Sequence, residues 1–395
     1  MTTPDLLVVG AGVMGASTAL EARRGGRGVT LLDAYGAGNA RATSGDQTRI
    51  SRCGHGADAL YTRWARESLT GWRRLEDETG LVLFRQAGAL WFTGQDRGFA
   101  EVTVPTLRSL DIPVEDLTPD DVKARWPQIA TEDITGAVFE PEAGLLMAAR
   151  GCAAAARRLV ELGGTFGVAS VRPGRTDGDR LVDVEDGSGR RHAADMFVFA
   201  AGPWLPGLFA DVVGDRIAVT KQDIVYLGPP AGDERWTDAA IPCWVDMAHP
   251  FYGLPSAEGG GFKVAPDRFG PAWDPSDGDR LVDPDAVRVA RAYAARRFPG
   301  IARQPVIETR VCQYEMTPDS HFLIDRHPAF SNVWLLGGGS GHGYKHGPEI
   351  ARHLVSRLDG GPAPDDNRFA LDRPRAAEGA IRIGGDGLVA GWEGY

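Results

Sequence analysis

Residues 5–33 read DLLVVGAGVMGASTALEARRGGRGVTLLD. Leu6 to Val9 is a short apolar run of the kind buried in a parallel strand. Gly10, Gly12 and Gly15 follow as G-x-G-x-x-G, small and apolar residues continue at helical spacing to Ala22, and Gly25 and Gly26 stop the helix. A second apolar run, Val29 to Leu32, ends in Asp33. The three glycines predict a tight turn, close backbone approach to a pyrophosphate and close helix–strand packing. The helix N-terminus favours phosphate charge, and Asp33 can take a ribose hydroxyl pair. Strand, glycines, helix, strand and acid in this order predict a dinucleotide-binding unit. NAD and FAD use the same unit; an acid at position 33 disfavours NADP, whose 2′-phosphate it would repel.

Beyond this unit, the pattern predicts a helix over 59–79 and a strand over 84–94 bent at Gly88. An acidic helix is expected over 117–128, N-capped by Thr118, and an alanine-rich helix over 147–164. Residues 166–204 read as several strands joined by turns. The last of them runs into Ala201-Gly202, a second approach to the nucleotide. From about 220 to 315 proline and aromatic residues increase and helical periodicity falls, which predicts a mainly antiparallel sheet over a pocket, with one helix at 284–298. At 331–348 a strand again meets a glycine run and then a helix, with Pro348 suited to its first position. The fold class is therefore α/β (α+β overall). A discontinuous Rossmann-like nucleotide domain (1–83, 146–219 and 316–376) is expected with a second, mainly antiparallel β substrate domain (84–145 and 220–315) and a tail at 377–395.

Composition narrows the function. The formal net charge is −10, and no block of like charge exceeds a few residues, which argues against nucleic acid or an acidic membrane surface as partner. The four cysteines, Cys53, Cys152, Cys243 and Cys312, form no CxxC pair, so neither a metal site nor a disulfide framework is indicated, and free thiols suit the cytoplasm. The apolar run at the start is preceded by Asp5 and followed by Arg23 and Arg24, the reverse of a secretory signal. Of 43 basic residues only four are lysine: Lys123, Lys221, Lys263 and Lys345. A lysine at 263, in GFKVAPD, is thus a residue to explain.

Five segments in order, GAGVMG, GDQTRISR (45–52), YGLPS (252–256) leading to FKVAPD, VCQYEMTPDSHFLIDRHP (311–328) and GGSGHGYKHGP (338–348), give the chain a resemblance to the monomeric sarcosine oxidase and N-methyltryptophan oxidase family. These are flavin amine oxidases of the wider D-amino-acid-oxidase superfamily, and the likeness spans about residues 5–376. The resemblance implies FAD attached covalently through Cys312, and implies that Lys263 lies over the flavin and serves reaction with oxygen. A compact ammonium in a dry site lowers the barrier to forming superoxide, and a planar guanidinium is no equivalent. It further implies that Lys345 and Arg52 hold the substrate carboxylate, that Arg49 sits on the far side of the flavin ring, and that Tyr252 and Tyr314 line the substrate cavity. Gly341 and Gly343 belong to the turn that brings the positive end of the following helix to the flavin. His342, beside that turn, receives no role.

Asp267 departs from the pattern, since sarcosine-oxidising relatives place a histidine there. An aspartate could pair with Lys263 or with a cationic substrate nitrogen, which favours an amine other than sarcosine. The implied activity is oxidation of a secondary amine bearing a carboxylate, an N-methyl or cyclic amino acid. A hydride equivalent passes to flavin N5, an imine leaves, and oxygen becomes hydrogen peroxide. Two alternatives keep the fold: a four-electron oxidase of a cyclic imine, and an amine dehydrogenase with another electron acceptor. The partners are the small amine and oxygen, and a monomer is the expected state.

Overall fold

A computed structural model describes residues 4–362 and 367–374, so the expected tail at 377–395 lies outside the described residues. The first predicted unit forms as read: strand Leu6–Val9, helix Val13–Arg24 and strand Val29–Asp33. Leu6–Val9 lies inside a six-stranded sheet in the order Leu323–Arg326, Val333–Gly337, Met196–Phe199, Leu6–Val9, Val29–Asp33, Thr165–Val168. All pairs are parallel except the one between Leu323–Arg326 and Val333–Gly337. All four residues of Leu6–Val9 are buried, as expected for a strand covered on both faces. Helix Val13–Arg24 packs against helices Ala148–Glu161 and Gly347–Leu358 on one face of this sheet.

Helix Ala59–Thr79 has both ends specified locally. The Asp58 carboxylate accepts from the N–H groups of Leu60 and Tyr61 at 3.0 and 3.1 Å, and Gly80 closes the helix in the left-handed region at φ 67°. The acidic helix is shorter than expected, Pro119–Arg125, because residues up to Leu117 belong to a strand and Pro127 disfavours helix at Trp126. Its predicted cap is present: Thr118 and Asp121 form a reciprocal capping box. The alanine-rich helix covers Ala148–Glu161, and the last helix begins at Gly347, so Pro348 is its second residue.

The second sheet has eight strands, ordered Val306–Met316, Ala218–Leu227, Phe262–Pro266, Phe251–Leu254, Cys243–Asp246, Ala89–Thr93, Gly136–Glu140, Glu115–Leu117. It is antiparallel except where Cys243–Asp246 meets Ala89–Thr93. One expectation fails here: 84–94 is not one bent strand. Phe84–Arg85 pairs with Gly144–Met147 in a small third sheet, whereas Ala89–Thr93 enters the large one. Gly88 makes the switch at φ 76°, where a Cβ would also lie 2.4 Å from the Phe139 ring. Helix Pro284–Arg297 covers the outer face with a core of Trp236, Trp244, Phe262, Tyr293 and Phe298. Within it the fully buried Arg297 pairs with Asp246 at 3.0 Å, and the Tyr293 hydroxyl donates to the same carboxylate at 2.9 Å. Among the described residues no helix is long and apolar enough to cross a membrane.

Candidate active site

A cavity of about 420 Å³ runs between the ends of the parallel strands and the inner face of the large sheet. At the nucleotide end it is lined by Gly10, Gly12, Asp33 and the Ala200–Gly202 turn. Gly10 sits at φ 102°, where a Cβ would lie 2.3 Å from the Ala200 carbonyl oxygen. Gly15 does not line the cavity. A Cβ there would lie 1.9 Å from the Gly10 carbonyl oxygen, so it serves helix–strand approach. Asp33 accepts from Ala11 N–H at 2.7 Å through one oxygen and from Tyr35 and Gly36 N–H at 2.8 and 2.9 Å through the other. It therefore clamps the glycine turn to the loop after the second strand as well as facing the cavity.

Gly341, Gly343 and Lys345 line the opposite wall, with the helix Gly347–Leu358 starting directly behind them. The Lys345 ammonium donates to the His342 carbonyl oxygen at 2.9 Å, and its own carbonyl oxygen accepts from the Trp72 indole at 3.0 Å. Arg52 enters from the end of strand Thr48–Ser51, its guanidinium 4.7 Å from the Trp91 ring centre and bonded to the Gly54 carbonyl oxygen. Tyr252, Tyr314, Trp91, Phe99, Val245 and Met247 complete an aromatic and aliphatic end. Asp267 also lines the cavity. It lies one residue past strand Phe262–Pro266, its backbone N–H held by the Pro250 carbonyl oxygen at 2.7 Å.

Lys263 is fully buried beside the cavity, 5.7 and 5.8 Å from the ring centres of Tyr252, which lines the cavity, and Tyr226. Its ammonium donates to the Asp46 carboxylate and to the Thr48 carbonyl oxygen, the latter at 3.3 Å. Asp46 also accepts from Arg49 at 2.6 Å and from the Tyr226 hydroxyl at 2.5 Å. Burial opposes ionisation of Asp46, but the charges of Lys263 and Arg49 outweigh it and hold the carboxyl well below the usual range. Burial, with the charge of Arg49, draws Lys263 below the usual lysine range although Asp46 opposes this.

Arg49 bridges this buried group to Cys312. Its guanidinium donates to the Thr43 carbonyl oxygen at 2.6 Å and lies 3.2 Å from the Cys312 sulfur. Of the four cysteines, Cys312 is the one on the cavity wall. Burial pushes Cys53 and Cys152 up to about 12, and Cys243 higher.

Sequence reasoning did not single out three acids of this site. Asp46 stands inside the quoted GDQTRISR, three residues before Arg49, a spacing that was its signal. Glu140 accepts from Cys53 N–H at 2.7 Å, Gly54 N–H at 3.1 Å and the Trp91 indole at 2.9 Å, fixing the turn after Arg52. Glu315 lines the cavity beside the Gly338–Gly339 turn, whose N–H groups it accepts, yet Oε2 has no protein hydrogen-bond partner. Burial pushes its carboxyl up to about 7. A glycine cradle, a cavity-facing acid at the end of the second strand and a cavity-facing thiol suit a dinucleotide carrying a flavin.

The profile of the FAD dependent oxidoreductase family matches residues 5–357. The chain is 29% identical over 381 residues to monomeric sarcosine oxidase of Bacillus sp. (strain B-0618), covering 95% of this chain and 97% of that one. It is 25% identical over 382 residues to N-methyl-L-tryptophan oxidase of Yersinia pestis (strain Pestoides F), covering 94% and 99%. Among solved structures, L-proline dehydrogenase from P. horikoshii superposes with a TM-score of 0.82 at 20% identity, covering 93% of this chain and 97% of that one, a likeness of fold.

Proposed function

The chain belongs to the FAD dependent oxidoreductase family, and from that footing we propose that it oxidises a secondary amine bearing a carboxylate, an N-methyl or cyclic amino acid. The observation that carries this reading is that Arg52 and Lys345, two cations, share the aromatic end of a cavity whose other end is the dinucleotide cradle. Residues 1–83, 146–219 and 316–376 are assigned to FAD, and 84–145 with 220–315 to the substrate. Gly10, Gly12, Asp33 and the turn at Gly341 and Gly343 would hold FAD, with Cys312 as its covalent anchor. When bound, FAD takes up a hydride equivalent from the α or N-methyl carbon and returns two electrons to oxygen, giving hydrogen peroxide.

The protein's own groups do the rest. Arg52 and Lys345 bind and orient the carboxylate. Tyr252 and Tyr314 close the amine end and exclude water, so the amine reacts in its neutral form. The product is an imine. Arg49, held by Asp46 and Thr43, places its guanidinium beside the Cys312 sulfur and positions it on the cavity wall.

A second reading, an amine dehydrogenase, is favoured by the Lys263–Asp46 pair, which partly neutralises the cation expected to serve oxygen. One experiment separates the two. The purified yellow protein is mixed with a panel of N-methyl and cyclic amino acids while flavin absorbance and peroxide are followed. The oxidase gives one peroxide per amine consumed. Bleaching without peroxide establishes the dehydrogenase, and a panel that never bleaches the flavin overturns both.

A further inference from the structure

The chemistry above leaves three imidazoles unused. His55 follows strand Thr48–Ser51, His342 sits in the glycine turn, and His346 is the residue before helix Gly347–Leu358. All three are buried, and one ring nitrogen from each lies within 4.8 Å of the other two. Their ring centres are 5.1 Å (His55–His346), 5.5 Å (His55–His342) and 5.9 Å (His342–His346) apart. For a tetrahedral ion with metal–nitrogen bonds of about 2.0–2.1 Å, imidazole centres lie about 5 Å apart. The rings already stand near that spacing, so ring rotation and small shifts bring the nitrogens to a common centre.

The hydrogen bonding suits ligation. His342 Nε2 lies 2.9 Å from the Ser320 carbonyl oxygen, which can only accept. Nε2 therefore carries the proton and Nδ1 presents the lone pair, the arrangement by which a backbone carbonyl orients a metal-binding histidine. His55 Nε2 and both ring nitrogens of His346 are buried without a hydrogen-bond partner in the protein. Native interiors rarely leave such atoms unsatisfied. Phe322 stacks on His342 at 4.9 Å and Tyr61 meets it edge-on at 5.1 Å, forming a dry wall behind the group.

We propose that His55, His342 and His346 form a three-imidazole site for a borderline divalent transition-metal ion, of the class of Zn2+, with its fourth position open to the cavity. His55 and His342 line that cavity, so the open position faces it. No carboxylate or thiolate belongs to the group, which sets Ca2+ and Mg2+ aside. The cationic side chains of Lys345 and Arg52 stand beside the group. Those two cations repel a divalent ion, and an anion in the fourth position offsets that repulsion.

The test uses the intact flavoprotein, treated with chelator and dialysed. Titration with ZnCl2 by calorimetry is expected to give one ion per chain with micromolar or tighter affinity. His55→Gln and His346→Gln are each expected to weaken binding at least tenfold, while His192→Gln, remote from the cluster, leaves it unchanged. Binding unaltered by both cluster variants, or no stoichiometric binding, overturns the proposal. Should the variants fail to fold, the unaltered chain decides: one equivalent of Co2+ must give the intense visible bands of a four-coordinate nitrogen site, and the pale spectrum of a six-coordinate ion overturns the proposal.

Discussion

Lys263 and Asp46, 217 residues apart in the chain, meet as an ion pair with 1% and 3% of their side chains exposed. Removing one partner of such a pair typically costs about 3–5 kcal/mol, because the other charge stays buried. The two removals are unequal here. Lys263→Met leaves Asp46 with Arg49 and the Tyr226 hydroxyl, whereas Asp46→Ala leaves two cations facing each other. Urea unfolding should show Asp46→Ala as the larger loss. Both variants should slow flavin reoxidation by about 10²–10³ while reduction changes less. In Asp46→Asn the carboxylate that opposes burial and Arg49 is gone, so Lys263 is drawn further below the usual lysine range and the variant is expected to share the defect. Stopped-flow reoxidation that stays normal in Asp46→Asn would detach the pair from oxygen chemistry.

Cys312→Ser should yield protein whose flavin is released on acid precipitation, whereas the unaltered protein keeps its colour in the pellet. The basis is Cys312 on the cavity wall with Arg49 3.2 Å from its sulfur. Colour in the supernatant of the unaltered protein, or a flavin peptide containing Cys53, Cys152 or Cys243, assigns the anchor elsewhere.

Asp267 should govern substrate choice. It lines the cavity beyond the end of its strand, while Lys263 on the same strand points to Asp46. Asp267→Asn is expected to slow reduction by the best substrate, Asp267→His to shift preference toward small N-methyl amino acids, and neither to change reoxidation. A substrate ranking identical in all three proteins would remove Asp267 from recognition.

Glu315 makes stability depend on pH in a definite sense. Its folded-state carboxyl is raised from 4.5 to about 7 by burial, so the folded chain holds a proton that the unfolded chain releases earlier. That contribution is complete below the unfolded value and is lost as pH rises through about 7, a change of about 3 kcal/mol. In flavin-free protein, denaturant midpoints should fall between about pH 4.5 and about pH 7, and Glu315→Gln should flatten that fall. Equal slopes in the two proteins would mean that Glu315 ionises without cost in the fold.

The dinucleotide unit was legible because strand, glycines, helix and acid are local signals, and helix Ala59–Thr79 matched its predicted limits because Asp58 and Gly80 cap it. The resemblance to sarcosine oxidases holds over most of the chain. Less legible was whatever depends on distant pairing. Gly88 reads as a bend, and only the partners on either side show that it divides two sheets. Lys263 stood out by its rarity, but its partner Asp46 is brought to it by the meeting of two sheets. Glu315 and His55 carry no local pattern, because burial from several elements gives them their character, and the four-residue spacing of His342 and His346 does not by itself name a third partner.

The order of strands in the parallel sheet governs how the protein is made. Leu6–Val9 is synthesised before Met196–Phe199 and Val333–Gly337, yet it pairs with the former, which in turn pairs with the latter. Helix Val13–Arg24 must likewise wait for Gly347–Leu358 to cover it. A nascent chain that has not reached Val333 lacks both the closing strand and the glycine turn of the cavity. Such long-range closure is slow, and the exposed strands invite misassembly meanwhile. The cavity is therefore complete only once Val333–Gly337 and Gly347–Leu358 have joined the segments made before them.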